Sequence, residues 1–64
     1  MLWYVILEYS NHKDDLVCVK VLPTPNPPSL YRVGLLNTKP LFFSTAIKLA
    51  KDYAKQNKVY VEGT

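Results

Sequence analysis

The chain opens on an apolar run, Leu2 to Tyr9, rich in aromatic and β-branched residues, and this predicts a strand. Ser10 to Asp15 is polar and built of turn-forming residues, as expected of a hairpin loop. Leu16 to Leu22 (Leu-Val-Cys-Val-Lys-Val-Leu) is again β-rich and predicts a second strand, antiparallel to the first. Then Pro23-Thr24-Pro25-Asn26-Pro27-Pro28 interrupts the pattern with four prolines. Proline supplies no sheet donor and prefers the extended polyproline conformation, so residues 23–29 are expected to form a stiff connector loop. Leu30 to Leu36 resumes the strand pattern around Gly34, a glycine expected at a bulge or a close backbone approach.

After a break at Asn37 to Pro40 the period becomes helical. Ala46, Ile47, Ala50, Tyr53, Ala54 and Asn57 fall on one side of a helix over residues 44–57, with Leu49 on its flank. Ser44 is the expected N-cap and Asn57 the expected end. Phe42 and Phe43 are expected to plug the core at the helix entrance. Val59 to Glu62 predicts a last short strand. The element order is β-β-β-α-β. The fold class is therefore α+β: an antiparallel sheet of about four strands with one helix on one face.

Strand side chains alternate between faces. Trp3, Val5, Leu7, Val17, Val19, Val21, Tyr31, Val33, Leu35, Val59 and Val61 are apolar and are assigned to the helix-covered side. The alternate set mixes Leu2, Tyr4, Ile6, Glu8, Leu16, Cys18, Lys20, Leu22, Leu30, Arg32, Gly34, Leu36, Lys58, Tyr60 and Glu62. Much of that second face is apolar although no second helix exists to cover it, and an exposed apolar patch marks an interaction surface.

Length and composition narrow the picture. Sixty-four residues allow one domain, residues 1–64, with a small core. A hydrophobic content of 48% with 20% charged residues is that of a folded chain rather than a disordered one. The one cysteine, Cys18, excludes an internal disulfide and a cysteine-rich zinc site. The apolar start is too short to span a bilayer and lacks a basic leader, so no membrane partner is expected and the location is expected to be cytoplasmic.

The net charge of +3 is unevenly placed. Residues 1–36 are balanced, and the whole excess lies in residues 37–64. Lys48, Lys51, Lys55 and Lys58 fall within an arc of roughly 80° opposite the apolar stripe of the helix. They are the candidate anion or nucleic-acid contacts, against the plainer reading of a solvated helix face.

No catalytic constellation emerges. His12 with Asp14 and Asp15 is a hairpin loop rather than a metal site, and Cys18 is a small core thiol rather than a nucleophile. Gly34 and Gly63 do not make a phosphate loop. Neither a catalytic residue nor a metal or cofactor site is expected. The expected function is a non-enzymatic protein-binding module: a regulator, adaptor or inhibitor of the kind carried by phages or mobile elements. Tyr4, Ile6, Lys20, Arg32 and Tyr60 on the uncovered face are its expected contacts. The alternative is nucleic-acid binding through the same face with the helix lysines. A small core without disulfides also points to a homodimer.

Overall fold

The computed structural model describes residues 1–62. Its elements are β1 (Tyr4–Tyr9), β2 (Leu16–Leu22), β3 (Arg32–Leu35), α1 (Phe43–Asn57) and β4 (Tyr60–Glu62). Gly63, named above, lies outside the described residues. The fold is α+β, with one four-stranded sheet in the order β3-β1-β2-β4. The long apolar strands β1 and β2 take the centre. The short ones take the edges, where unpaired backbone is a hazard. β1 is antiparallel to both β2 and β3, whereas β4 runs parallel to β2. The sheet is thus mixed rather than purely antiparallel. The helical connection from β3 to β4 makes this possible, because it reverses the chain direction before the last strand begins.

The connectivity demands two crossovers. β2 and β3 lie on either side of β1 and run parallel to each other, so residues 23–31 must cross the sheet to join them. α1 must cross it again to join the opposite edges. The helix takes one face and the proline-rich segment takes the other. The connector is therefore a roof as well as a spacer. Under it Ile6 is fully buried, and Cys18 and Glu8 nearly so.

On the helix side Val5, Leu7, Val19 and Val21 pack beneath Ala46, Ala50 and Ala54. The alanines keep that side of α1 small, which lets the helix backbone lie close to the valines. Burying each valine or leucine contributes about 1.5–3 kcal/mol. Ile47, Leu49, Tyr53, Val59 and Val61 close the margins.

Two local features redirect side chains. The β1–β2 register shifts between Glu8 and Tyr9: Glu8 faces Cys18 while Tyr9 faces Leu16, which leaves Val17 as an extra residue. Past this bulge Leu16 packs on the helix-side core, and Val17 lines the opposite face. Both are the reverse of strict alternation. The second feature is the register of β3. Val33 faces Glu8 and Leu35 faces Ile6, so both belong to the roofed side. Gly34 and Arg32 face Leu7 and Tyr9, and Leu36 packs on the helix-side core. The expected faces of this strand are inverted. Gly34 marks a close approach: a Cβ there would meet the Tyr9 ring at 3.4 Å.

The helix begins one residue before its expected cap. Phe42 is the N-cap, and it offers no side-chain hydrogen bond. Phe42 is 73% and Phe43 47% exposed, so neither plugs the core, although Phe43 meets Trp3 edge-on at 4.9 Å between centroids. The other end closes on Lys58 in the left-handed conformation (φ 57°), one residue beyond Asn57. Asn57 caps locally, its Nδ2 donating to the Tyr53 carbonyl at 2.8 Å.

Asn37 is part of the sheet in all but backbone. Its Oδ1 accepts the Val5 N–H at 2.7 Å, and its Nδ2 donates to the Lys39 carbonyl at 2.7 Å. The side chain thus continues the β1 ladder just past the end of β3, while Trp3 and Leu41 exchange two backbone bonds beside it. No helix among the described residues is long and apolar enough to cross a membrane.

Candidate functional site

The roof leaves the β2–β4 side of its sheet face partly uncovered. There a cleft of about 610 Å³ opens between Pro28–Tyr31 on one side and Tyr60 on the other, with Val17, Glu8, Lys20 and Glu62 on its floor and flanks. Three of its lining residues are large and exposed: Leu30 (92%), Tyr60 (59%) and Tyr31 (45%).

Glu8 organises the floor. Strand alternation puts it on the same face as Ile6, and pairing with Cys18 and Val33 places it centrally between two neighbours. Its Oε1 meets Lys20 Nζ at 3.2 Å and the Cys18 thiol at 3.1 Å. Its Oε2 accepts the Ser29 hydroxyl at 2.6 Å. Ser29 Oγ in turn accepts the Tyr31 N–H at 3.0 Å. One hydroxyl therefore shapes the turn into β3 and ties the roof to the sheet. Burial would raise the Glu8 pKa, but hydrogen bonds from Ser29, Cys18 and Lys20, with the Lys20 charge, hold it below its ordinary value.

The neighbouring groups respond to this acid. The Cys18 thiol lies 3.1 Å from Glu8 Oε1 and 3.3 Å from Glu62 Oε2, so its single proton serves either carboxylate. Burial, then the bonds to Glu8 and Glu62, push it up to about 12. At neutral pH it is a protonated hydrogen-bond donor, without the thiolate character that nucleophilic chemistry needs. The hydrogen bond to Glu8 raises Lys20, and the Glu62 charge raises Tyr60.

Glu8, Cys18 and Glu62 bring their ligating atoms within 4.8 Å of one another, close enough to surround a metal ion. Lys20 is the cation bonded to Glu8, and the thiol keeps its proton and donates to the acids. No buried side-chain nitrogen or oxygen among the described residues lacks a partner.

Of the contacts expected from the sequence, the fold brings Lys20 and Tyr60 together at the cleft. Ile6 lies fully buried beneath the roof, and Tyr4 is half-buried at the far end of β1. Neither lines the cleft. Arg32 is on the other side of the sheet, its guanidinium 5.5 Å from the centre of the Tyr9 ring and paired with Asp14. Lys48, Lys51 and Lys55 on α1 and Lys58 at its C-cap are exposed and away from the cleft. Alternation put Glu8, Leu30 and Glu62 on this face without naming them as contacts, whereas Tyr31, expected on the helix-covered side, lines the cleft instead, and Ser29 comes from the connector. Glu8 carries a signal in retrospect, as the one charge inside an apolar strand. Ser29 to Tyr31 carry none, because the crossover that seats them is a property of strand order. No protein-family model, curated protein or solved structure matches this chain.

Proposed function

We propose that this chain is a non-enzymatic protein-binding module whose partner docks on the cleft over β2 and β4. One observation carries the reading: three large exposed side chains, Leu30, Tyr31 and Tyr60, surround a single cleft with a preorganised charged floor. Exposed aromatic residues around a concave, hydrogen-bonded floor have the composition of an interface centre. Nucleic-acid binding through this face is less favoured, because Glu8 and Glu62 place two carboxylates where phosphates would approach. A regulatory or inhibitory role and a cytoplasmic setting belong to the same proposal. So does self-association, which the outer edges of β3 and β4 would serve; light scattering distinguishes a 7.3 kDa monomer from a dimer.

Affinity capture from nuclease-treated lysate tests the reading. A protein retained by the wild type is expected to be lost with Tyr60→Ala and kept with Arg32→Ala and with the double reversal of Lys51 and Lys55 to Glu. Capture seen only in lysate not treated with nuclease, and lost with the lysine reversals or at raised salt, would instead establish the nucleic-acid reading.

A further inference from the structure

We propose that the cleft takes a basic side chain, arginine or lysine, presented by a segment of the partner protein. This rests on the reading of the cleft as a partner-binding surface. The argument is charge complementarity. Two carboxylates, Glu8 and Glu62, share the cleft with a single ammonium, Lys20. The local balance is negative on a chain whose net charge is +3.

The two carboxylates are not equivalent. Glu8 is buried and fully engaged by Lys20, Cys18 and Ser29. Glu62 is exposed; its hydrogen bond among the described residues comes from the Cys18 thiol, and Lys20, its cross-strand neighbour, feels its charge but is bonded to Glu8. One ammonium faces two acids and is bonded to Glu8, so the excess negative charge lies on the Glu62 side, two residues along β4 from Tyr60 and on the same face. The thiol between the acids is protonated and neutralises neither.

A guanidinium or ammonium entering here would meet Glu62 as a charge-assisted partner. The tyrosines of the rim offer ring faces, which attract cations. Arginine suits this setting better than lysine, because its planar group can stack on a ring and present two donors to one carboxylate. An acidic side chain would meet repulsion from both glutamates, and a purely apolar one would leave Glu62 desolvated without a partner.

Selection of a random dodecapeptide library on the immobilised protein tests this. The peptides are then measured against the wild type, Tyr60→Ala and Glu62→Gln, each checked for folding by circular dichroism. The expected result is a set of binders carrying a common basic residue. Their affinity should fall about tenfold or more with Glu62→Gln or with Tyr60→Ala. Exchange of the peptide arginine for citrulline, which leaves the protein untouched, should give a similar loss. Binders that depend on Tyr60 but carry no common basic residue, or that tolerate citrulline, would overturn the inference and leave the cleft as the docking surface. Binders indifferent to Tyr60→Ala, or an empty selection, would overturn both.

Discussion

The Ser29 hydroxyl donates to Glu8 Oε2 at 2.6 Å, and this bond joins the proline-rich roof to the central strand of the sheet. Its acceptor is the most buried charged group among the described residues. Removing either partner should loosen the roof, with unequal consequences. Ser29→Ala deletes one charge-assisted bond and should cost about 1.5–3 kcal/mol. Glu8→Ala strips Lys20, Cys18 and Ser29 of a shared acceptor and should cost more than Ser29→Ala. Denaturant melts of the two variants check the order. If Glu8→Ala is as stable as wild type, Glu8 does not organise the cleft.

The same cluster sets the response to pH at both extremes. Glu8 is held below its ordinary 4.5, so between its folded and unfolded values the unfolded chain binds more protons. This contribution is present above 4.5 and is lost as pH falls through the lower folded value. Cys18 behaves in the opposite sense. Its value rises from 9.0 to about 12, so the folded chain holds the proton more tightly. That contribution is present below 9.0 and is lost as pH climbs toward 12. Melting temperature followed across pH should show both flanks. Glu8→Gln should flatten the acid one and Cys18→Ala part of the alkaline one, which Tyr9, Lys20 and Tyr60, also raised, share. A disulfide-exchange reagent at pH 8 should label Cys18 only as fast as the chain opens.

Phe42 occupies the N-cap of α1 without an oxygen to offer the free N–H groups of the first turn. The first turn also holds no acid to complement the helix dipole. Phe42→Asp supplies both at a position 73% exposed, where little apolar contact is lost. It should stabilise the protein by about 0.5–2 kcal/mol. A fall in melting temperature would mean that the ring supports the fold.

Asn37→Ala should be costly for a residue in an irregular segment. It leaves the N–H of Val5, a fully buried residue, without its 2.7 Å acceptor. An unsatisfied buried donor costs about 1–3 kcal/mol. Hydrogen exchange at the Val5 amide reads the effect directly and should accelerate in this variant.

Much of the local structure is written in the pattern of residues. The limits of β2 and the stripe of Ala46, Ile47, Ala50, Tyr53 and Ala54 follow from period alone, because each face is set by neighbours two, three or four positions away. The same holds for the hairpin and for the helix-facing positions Val5, Leu7, Val19, Val21 and Val61. Alternation failed where register entered. Val33 and Arg32 exchanged faces because alternation groups Val33 with Leu35 and Arg32 with Gly34 but does not say which group meets the helix; the register with β1 decides that. Val17 moved because a bulge is a property of the pairing between two strands, which neither strand shows alone.

The cleft depended most on long-range geometry. Tyr60 and Lys20 share a face by local parity, but their neighbourhood arises because β4 adds beside β2 rather than beside β3. The strand order β3-β1-β2-β4 also sends the proline segment across the face opposite the helix, where it buries Ile6 and lowers Ser29 onto Glu8. Chain composition therefore settled which segments are strand, helix and turn, since those preferences act within a few residues. Which face lies open, which acid is buried and which tyrosines share the cleft were left to packing among elements remote in sequence, where only the assembled sheet brings the interacting groups within reach.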